Sequence, residues 1–92
     1  MDKYQRFYTN AFKKELRLMQ KRGKDLSLIK NVIDTLAQGE RLASPHKDHA
    51  LKGDYSGFRE CHITSDWLLI YRIVEERLEL VLSRTGSHSD LF

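Results

Sequence analysis

Three short stretches in the second half of the chain carry the groups that proton transfer needs. They are His46-Lys47-Asp48-His49, Arg59-Glu60-Cys61-His62 with Asp66-Trp67 just after it, and Arg84-Thr85-Gly86-Ser87-His88 with Phe92 four residues on. The first 45 residues contain no histidine. Histidine both gives and takes a proton near neutral pH. Several histidines with Asp, Glu and Arg close by in sequence point to metal-free acid–base chemistry on an anionic substrate, or else to a metal site.

Such groups must be held by a fold, and 92 residues allow one small domain, residues 1–92, with no room for a second core. Hydrophobic residues at 40% and charged residues at 32% suit a soluble globular chain. The polar N-terminus reads as neither a signal peptide nor a membrane span. Cys61 is alone, so no internal disulfide is possible, and a reducing cytoplasm is the simplest compartment. Charge is uneven. Residues 1–30 carry nine Lys/Arg against three acids, a local +6, whereas residues 31–92 carry seven against ten, a local −3. A basic first third invites an anionic partner such as nucleic acid, although on charge alone a solvated helix face is the preferred reading.

Tyr4 to Tyr8 reads as a short strand. Thr9 or Asn10 can cap a helix over residues 10–22, whose apolar stripe is Phe12, Leu16 and Met19 and which Gly23 ends. Lys13, Lys14, Arg17, Lys21 and Lys24 lie off that stripe. Asp25 can cap a second helix, with Leu26, Ile29, Val32, Ile33 and Leu36 facing inward and Gly39 ending it. The short connection makes the pair an antiparallel hairpin. Residues 40–56, with Pro45 and Gly53, read as a long loop, a common place for function. Three strands follow: Gly57 to Ile63, Trp67 to Val74, and Leu78 to Arg84. The expected fold is therefore α+β, β-α-α-β-β-β, with the helical hairpin covering one face of an antiparallel sheet. Only Leu78, Leu80 and Leu82 alternate strictly.

Read together, five segments resemble the YafQ-type toxins of the RelE/ParE superfamily. They are Gln20-Lys21-Arg22 with Lys24-Asp25; Lys47-Asp48-His49-x-Leu51-x-Gly53; Gly57-x-Arg59-x-x-His62; Asp66-Trp67-x-Leu69-Ile70-Tyr71; and Arg84-Thr85-Gly86-x-His88-x-x-Leu91-Phe92. Each is weak alone, and five in one order within 92 residues are specific. The resemblance implies a RelE-like microbial RNase fold and a bacterial type II toxin that enters the ribosomal A site and cleaves mRNA there. It implies a cognate antitoxin of the DinJ/RelB-like, ribbon-helix-helix class, a toxin that is monomeric when free and hetero-oligomeric with its antitoxin, and no membrane partner.

Metal-free RNA cleavage uses the neighbouring 2′-hydroxyl as nucleophile. The enzyme supplies a base for that hydroxyl, an acid for the leaving 5′-oxygen and positive charge for the phosphate. No cofactor and no metal is required. By resemblance, His49, His62, Asp66 and His88 take the acid–base positions: His88 as general acid, His49 or Asp66 as base, and His62 orienting a partner or touching the phosphate. Arg84 ends its strand on the same parity as Leu78, Leu80 and Leu82, where the strand end would carry it to a cleft rim. Its planar fork suits phosphate, or else it pairs with Asp66 or Asp90. Trp67 and Phe92 are aromatic platforms on which a base can stack. By sequence alone, Trp67 reads first as core. Glu60 stands where the family pattern has aspartate, and Arg59 either pairs with an acid across strands or binds phosphate. His46 reads as a loop residue. Lys13, Lys14, Arg17, Lys21 and Lys24 are expected to bind ribosomal RNA.

Three rival readings remain at this point. A ParE-like toxin of the same fold would inhibit DNA gyrase and lack the acid–base cluster. A zinc protein would use His46 and His49 with His62 or His88. A non-catalytic RNA-binding module would use the basic first helix alone.

Overall fold

The computed structural model describes the whole sequence, residues 1–92. Its first strand, β1 (Gln5–Tyr8), runs straight into helix α1 (Asn10–Lys21) through Thr9. The Thr9 hydroxyl accepts from the Phe12 amide at 3.0 Å and donates to the Ser83 carbonyl at 2.7 Å. One side chain thus caps the helix and pins its start to the last strand. Gly23, at φ +83°, reverses the chain, and Asp25 caps α2 (Leu26–Ala37) by accepting from the Ser27 amide at 3.0 Å.

The remaining strands are β2 (His49–Ala50), β3 (Arg59–Thr64), β4 (Trp67–Val74) and β5 (Glu79–Gly86), and a short helix, α3 (His88–Leu91), closes the chain. The sheet order is β1-β5-β4-β3-β2. The three strands expected after the helices pair antiparallel with their neighbours, and β2 adds a strand within residues 40–56, which read as loop. β1 lies parallel to β5 where an antiparallel sheet was expected, so the sheet is mixed. That direction follows from Thr9: β1 must deliver α1 to the Ser83 end of β5.

Phe12 and Met19 of α1 and Ile29, Val32, Ile33 and Leu36 of α2 meet Cys61, Ile63, Trp67, Leu69, Tyr71, Leu80 and Leu82 in the main core. The opposite sheet face has its own small cluster, in which Leu68, Ile70 and Leu91 pack with Leu51, Tyr55 and Phe58. Because β4 is covered on both faces, Trp67 to Tyr71 are all buried and the strand shows no alternation in sequence.

Three expectations change here. Trp67 is 0% exposed within the main core, and its indole N–H donates to Thr85 Oγ1 at 2.9 Å, so it offers no face to a base. Leu78 is not a strand residue: it is exposed, in a left-handed turn at φ 51°, and β5 begins after it. The alternation of Leu80 and Leu82 also stops short of Arg84. Tyr71 pairs with Leu82 and Ile70 with Arg84, which leaves Ser83 as a bulge. Arg84 therefore stands opposite Ile70, on the face of the smaller cluster.

Candidate active site

Register places the chemistry. His49, Glu60, Ile70 and Arg84 are successive partners across β2, β3, β4 and β5. With strands about 4.8 Å apart, this row is roughly 14 Å long. The next row holds His62, Leu68 and Gly86, and α3 follows directly with His88. Residues on facing positions share a sheet face, so β3 turns Glu60 and His62 away from the helices while Cys61 and Ile63 enter the main core.

His49 arrives by a two-residue strand held from beneath. Lys47 takes a left-handed turn at φ 48°. Asp48 then accepts from the Tyr71 hydroxyl at 2.5 Å and from Arg59 Nε at 3.3 Å. Burial, and then the Asp48 carboxylate, push the Tyr71 hydroxyl's pKa up, so it stays a donor. This fixes the role of Arg59. It lies on the helix side of the sheet opposite Tyr71 and anchors Asp48, so it points away from the face that carries Glu60 and His62.

The His49 Nδ1 lies 2.7 Å from the Lys47 carbonyl, which can only accept. Nδ1 therefore carries a hydrogen, and Nε2 is the atom left to take a proton. That Nε2 sits 3.7 Å from Glu60 Oε1, and His62 Nε2 sits 3.8 Å from the same oxygen. Glu60 is only 5% exposed, and its one oxygen faces both imidazoles. It is the centre of the cluster. His62 then meets His88 edge to face with ring centroids 5.8 Å apart, and His88 Nδ1 lies 3.7 Å from Asp66 Oδ1. The series His49–Glu60–His62–His88–Asp66 is continuous on one open face.

His88 owes its place to α3. Ser87 and Asp90 form a reciprocal cap, Leu91 is buried against Leu68 and Ile70, and Arg22 donates to Asp90 Oδ2 at 2.6 Å. Arg22 holds the Asp90 carboxyl well below the usual carboxylate range. Gly86 is required by close approach, since a Cβ there would lie 2.9 Å from Asp90 Cβ. Phe92 is 59% exposed and stands beside His88 and Tyr55, with ring centroids 6.5 and 5.6 Å away.

Arg84 pairs with neither Asp66 nor Asp90. Its partner is Glu15 of α1, at 2.6 Å from Nη2. Hydrogen bonding to Glu15 raises the guanidinium pKa further above its ordinary value, against the effect of burial. Lys14, Arg17 and Lys21 line a groove on α1 together with Glu15 and Arg84. Lys13 instead borders a groove between the two helices, and Lys24 lies in the turn beyond α1. The five cations therefore do not form one patch.

Among possible metal ligands, one atom each from Glu60, His62 and His88 falls within 4.8 Å of the others. This differs from the set expected from the loop His-x-x-His spacing, because His46 Nδ1 lies 2.6 Å from the His62 carbonyl and serves the backbone there. Sequence reasoning missed Glu15, the sole acid of α1 and its one available signal, and also Tyr55, which nothing in the sequence marked out.

The family model for YafQ, a bacterial toxin of type II toxin–antitoxin systems, matches residues 4–92. The chain is 36% identical over 86 residues to the mRNA interferase toxin YafQ of Escherichia coli, covering 92% of this chain and 91% of that one. The toxin in the crystal structure of the E. coli DinJ-YafQ toxin–antitoxin complex superimposes with a TM-score of 0.89 at 34% identity, over 98% of each chain. A metal-bound toxin from Helicobacter pylori superimposes with a TM-score of 0.91 at 43% identity, over 97% of this chain and 99% of that one.

Proposed function

The chain belongs to the YafQ family of type II toxins, and on that premise we propose that it is an mRNA interferase that cuts mRNA by metal-independent acid–base catalysis. The supporting observation is the continuous series His49–Glu60–His62–His88–Asp66 facing the same side as Arg84. His49 Nε2 takes the proton of the 2′-hydroxyl, and Glu60 stabilises the imidazolium that forms. The freed 2′-oxygen attacks phosphorus. The bond to the 5′-oxygen breaks as His88 donates a proton to it, giving a 2′,3′-cyclic phosphate and a free 5′-hydroxyl. Asp66 orients His88. Arg84 and His62 face the phosphate and stabilise its charge. Phe92, rather than Trp67, stacks a base.

The reaction takes place on the ribosome. In-line attack requires the scissile phosphate near its reactive geometry, and that alignment is worth several kcal/mol. The site is an open face with no walls to straighten a flexible strand, whereas mRNA held in the A site is already extended. Lys14, Arg17 and Lys21, with Lys13 and Lys24 nearby, contact ribosomal RNA. A DinJ-like antitoxin of the ribbon-helix-helix class is the neutralising partner, the free toxin is monomeric and acts in the cytoplasm, and no helix is long and apolar enough to cross a membrane.

The test is one mRNA incubated with purified toxin, with and without ribosomes, in the presence of a chelator. Efficient cutting only with ribosomes, and unaffected by the chelator, is the expected result. Equal cutting in both tubes would mark a free-standing ribonuclease, and loss in chelator would favour a metal enzyme.

A further inference from the structure

Glu15 is out of place by charge. It is the one acid of α1, among Lys13, Lys14, Arg17 and Lys21. On a surface meant for an anionic ligand it subtracts attraction. Its contacts are specific nonetheless. Its two oxygens lie 3.0 and 2.9 Å from Arg84 Nε, one of them 2.6 Å from Nη2, and the other accepts from the Thr85 amide at 3.3 Å.

We propose that Glu15 is a positioning residue that aims Arg84 at the scissile phosphate. A guanidinium has five N–H groups in one plane. Glu15 engages the edge formed by Nε and Nη2. Glu15 leaves the far edge, Nη1 with the second hydrogen of Nη2, unengaged, although the Tyr55 side chain also reaches the guanidinium, and that fork matches two phosphate oxygens. The Thr85 amide fixes the carboxylate in turn, next to the bulge that turns Arg84 onto the active face. A long, half-exposed side chain at the end of a row is thereby held in one direction before substrate arrives. Preorganisation of this kind acts on the transition state more than on binding.

The inference rests on Arg84 serving the phosphate, and the test separates the two. Cleavage is measured on ribosomes programmed with one mRNA, for Arg84→Ala, Glu15→Ala, Glu15→Gln and the double variant Glu15→Ala/Arg84→Ala, each with a melting curve. Arg84→Ala is expected to lose most activity, and if it cuts at the wild-type rate the phosphate role itself fails. Glu15→Ala is expected to lower kcat by about 10–100-fold, the scale of a small misplacement of a catalytic group. Its KM should stay level or fall, because the basic face gains a net positive charge. Adding Glu15→Ala to Arg84→Ala should cost nothing further. Glu15→Gln, whose amide nitrogen cannot accept from the guanidinium, should also lower kcat, and it decides the matter if the alanine variant melts early. An inactive Arg84→Ala beside folded Glu15 variants of wild-type or higher kcat would overturn the positioning role alone.

Discussion

Asp48 accepts the Tyr71 hydroxyl at 2.5 Å, and this bond ties the residue before His49 to the buried centre of the sheet. A loop histidine thereby gains the precision of a strand position, since Tyr71 is 1% exposed and cannot shift without disturbing the core.

Tyr71→Phe should therefore act on both stability and catalysis. A hydrogen bond to a charged acceptor contributes about 1.5–3 kcal/mol, and the low end applies here because Asp48 is partly exposed and keeps Arg59. Chemical denaturation should show that loss. Cleavage should fall about 10-fold or more as His49 loses its fixed approach. A variant less stable but equally active would separate the anchor from the chemistry.

Trp67 belongs to the core and should behave as core. Trp67→Phe keeps most of the packing and removes the bond to Thr85, costing about 1 kcal/mol. Trp67→Ala should cost about 3–5 kcal/mol and yield little folded protein. In the folded Phe variant, cleavage at saturating substrate should match the wild type. A selective rise in KM would instead indicate contact with RNA.

Cys61 is fully buried, and burial, with help from Asp48 and Glu60, pushes its thiol well above the ordinary range. The thiolate is the reactive form. Native protein at neutral pH should resist an alkylating reagent, with one thiol per chain appearing on unfolding. Rapid labelling of the native state would show that β3 opens beneath the active face.

Reversing Lys14, Arg17 and Lys21 together should weaken ribosome association and flatten its salt dependence, without moving the cut position. Phosphate contacts are sequence-blind, so a changed cut position would place these residues at the codon instead.

Much of the fold was legible in the chain. Thr9 and Asp25 cap the helices as their types suggest, and the stripes from Phe12 to Met19 and from Ile29 to Leu36 face the core. Long-range pairing was not. The Ser83 bulge exists only relative to β4, so Leu80 and Leu82 gave a false parity for Arg84. The two-residue β2 is too short for any periodic signal, and β1 gives no hint of its parallel partner. Within the site, the motifs brought His49, His62, Asp66 and His88 to one face. They could not separate Trp67 and Arg59, which belong to the other side, from Glu60 at the centre, because neighbours in a strand point to opposite faces.

The most direct test of the acid–base assignment uses an mRNA whose scissile 5′-oxygen is replaced by sulfur. A thiolate leaves without a proton, whereas an alkoxide does not. On normal mRNA, folded His49→Ala and His88→Ala variants should each lose about 10²–10⁴ in single-turnover rate. On the sulfur substrate His88→Ala should recover to near the wild-type rate while His49→Ala stays slow. Recovery of His49→Ala instead, or of neither variant, would contradict the account in which His49 is the base and His88 the acid.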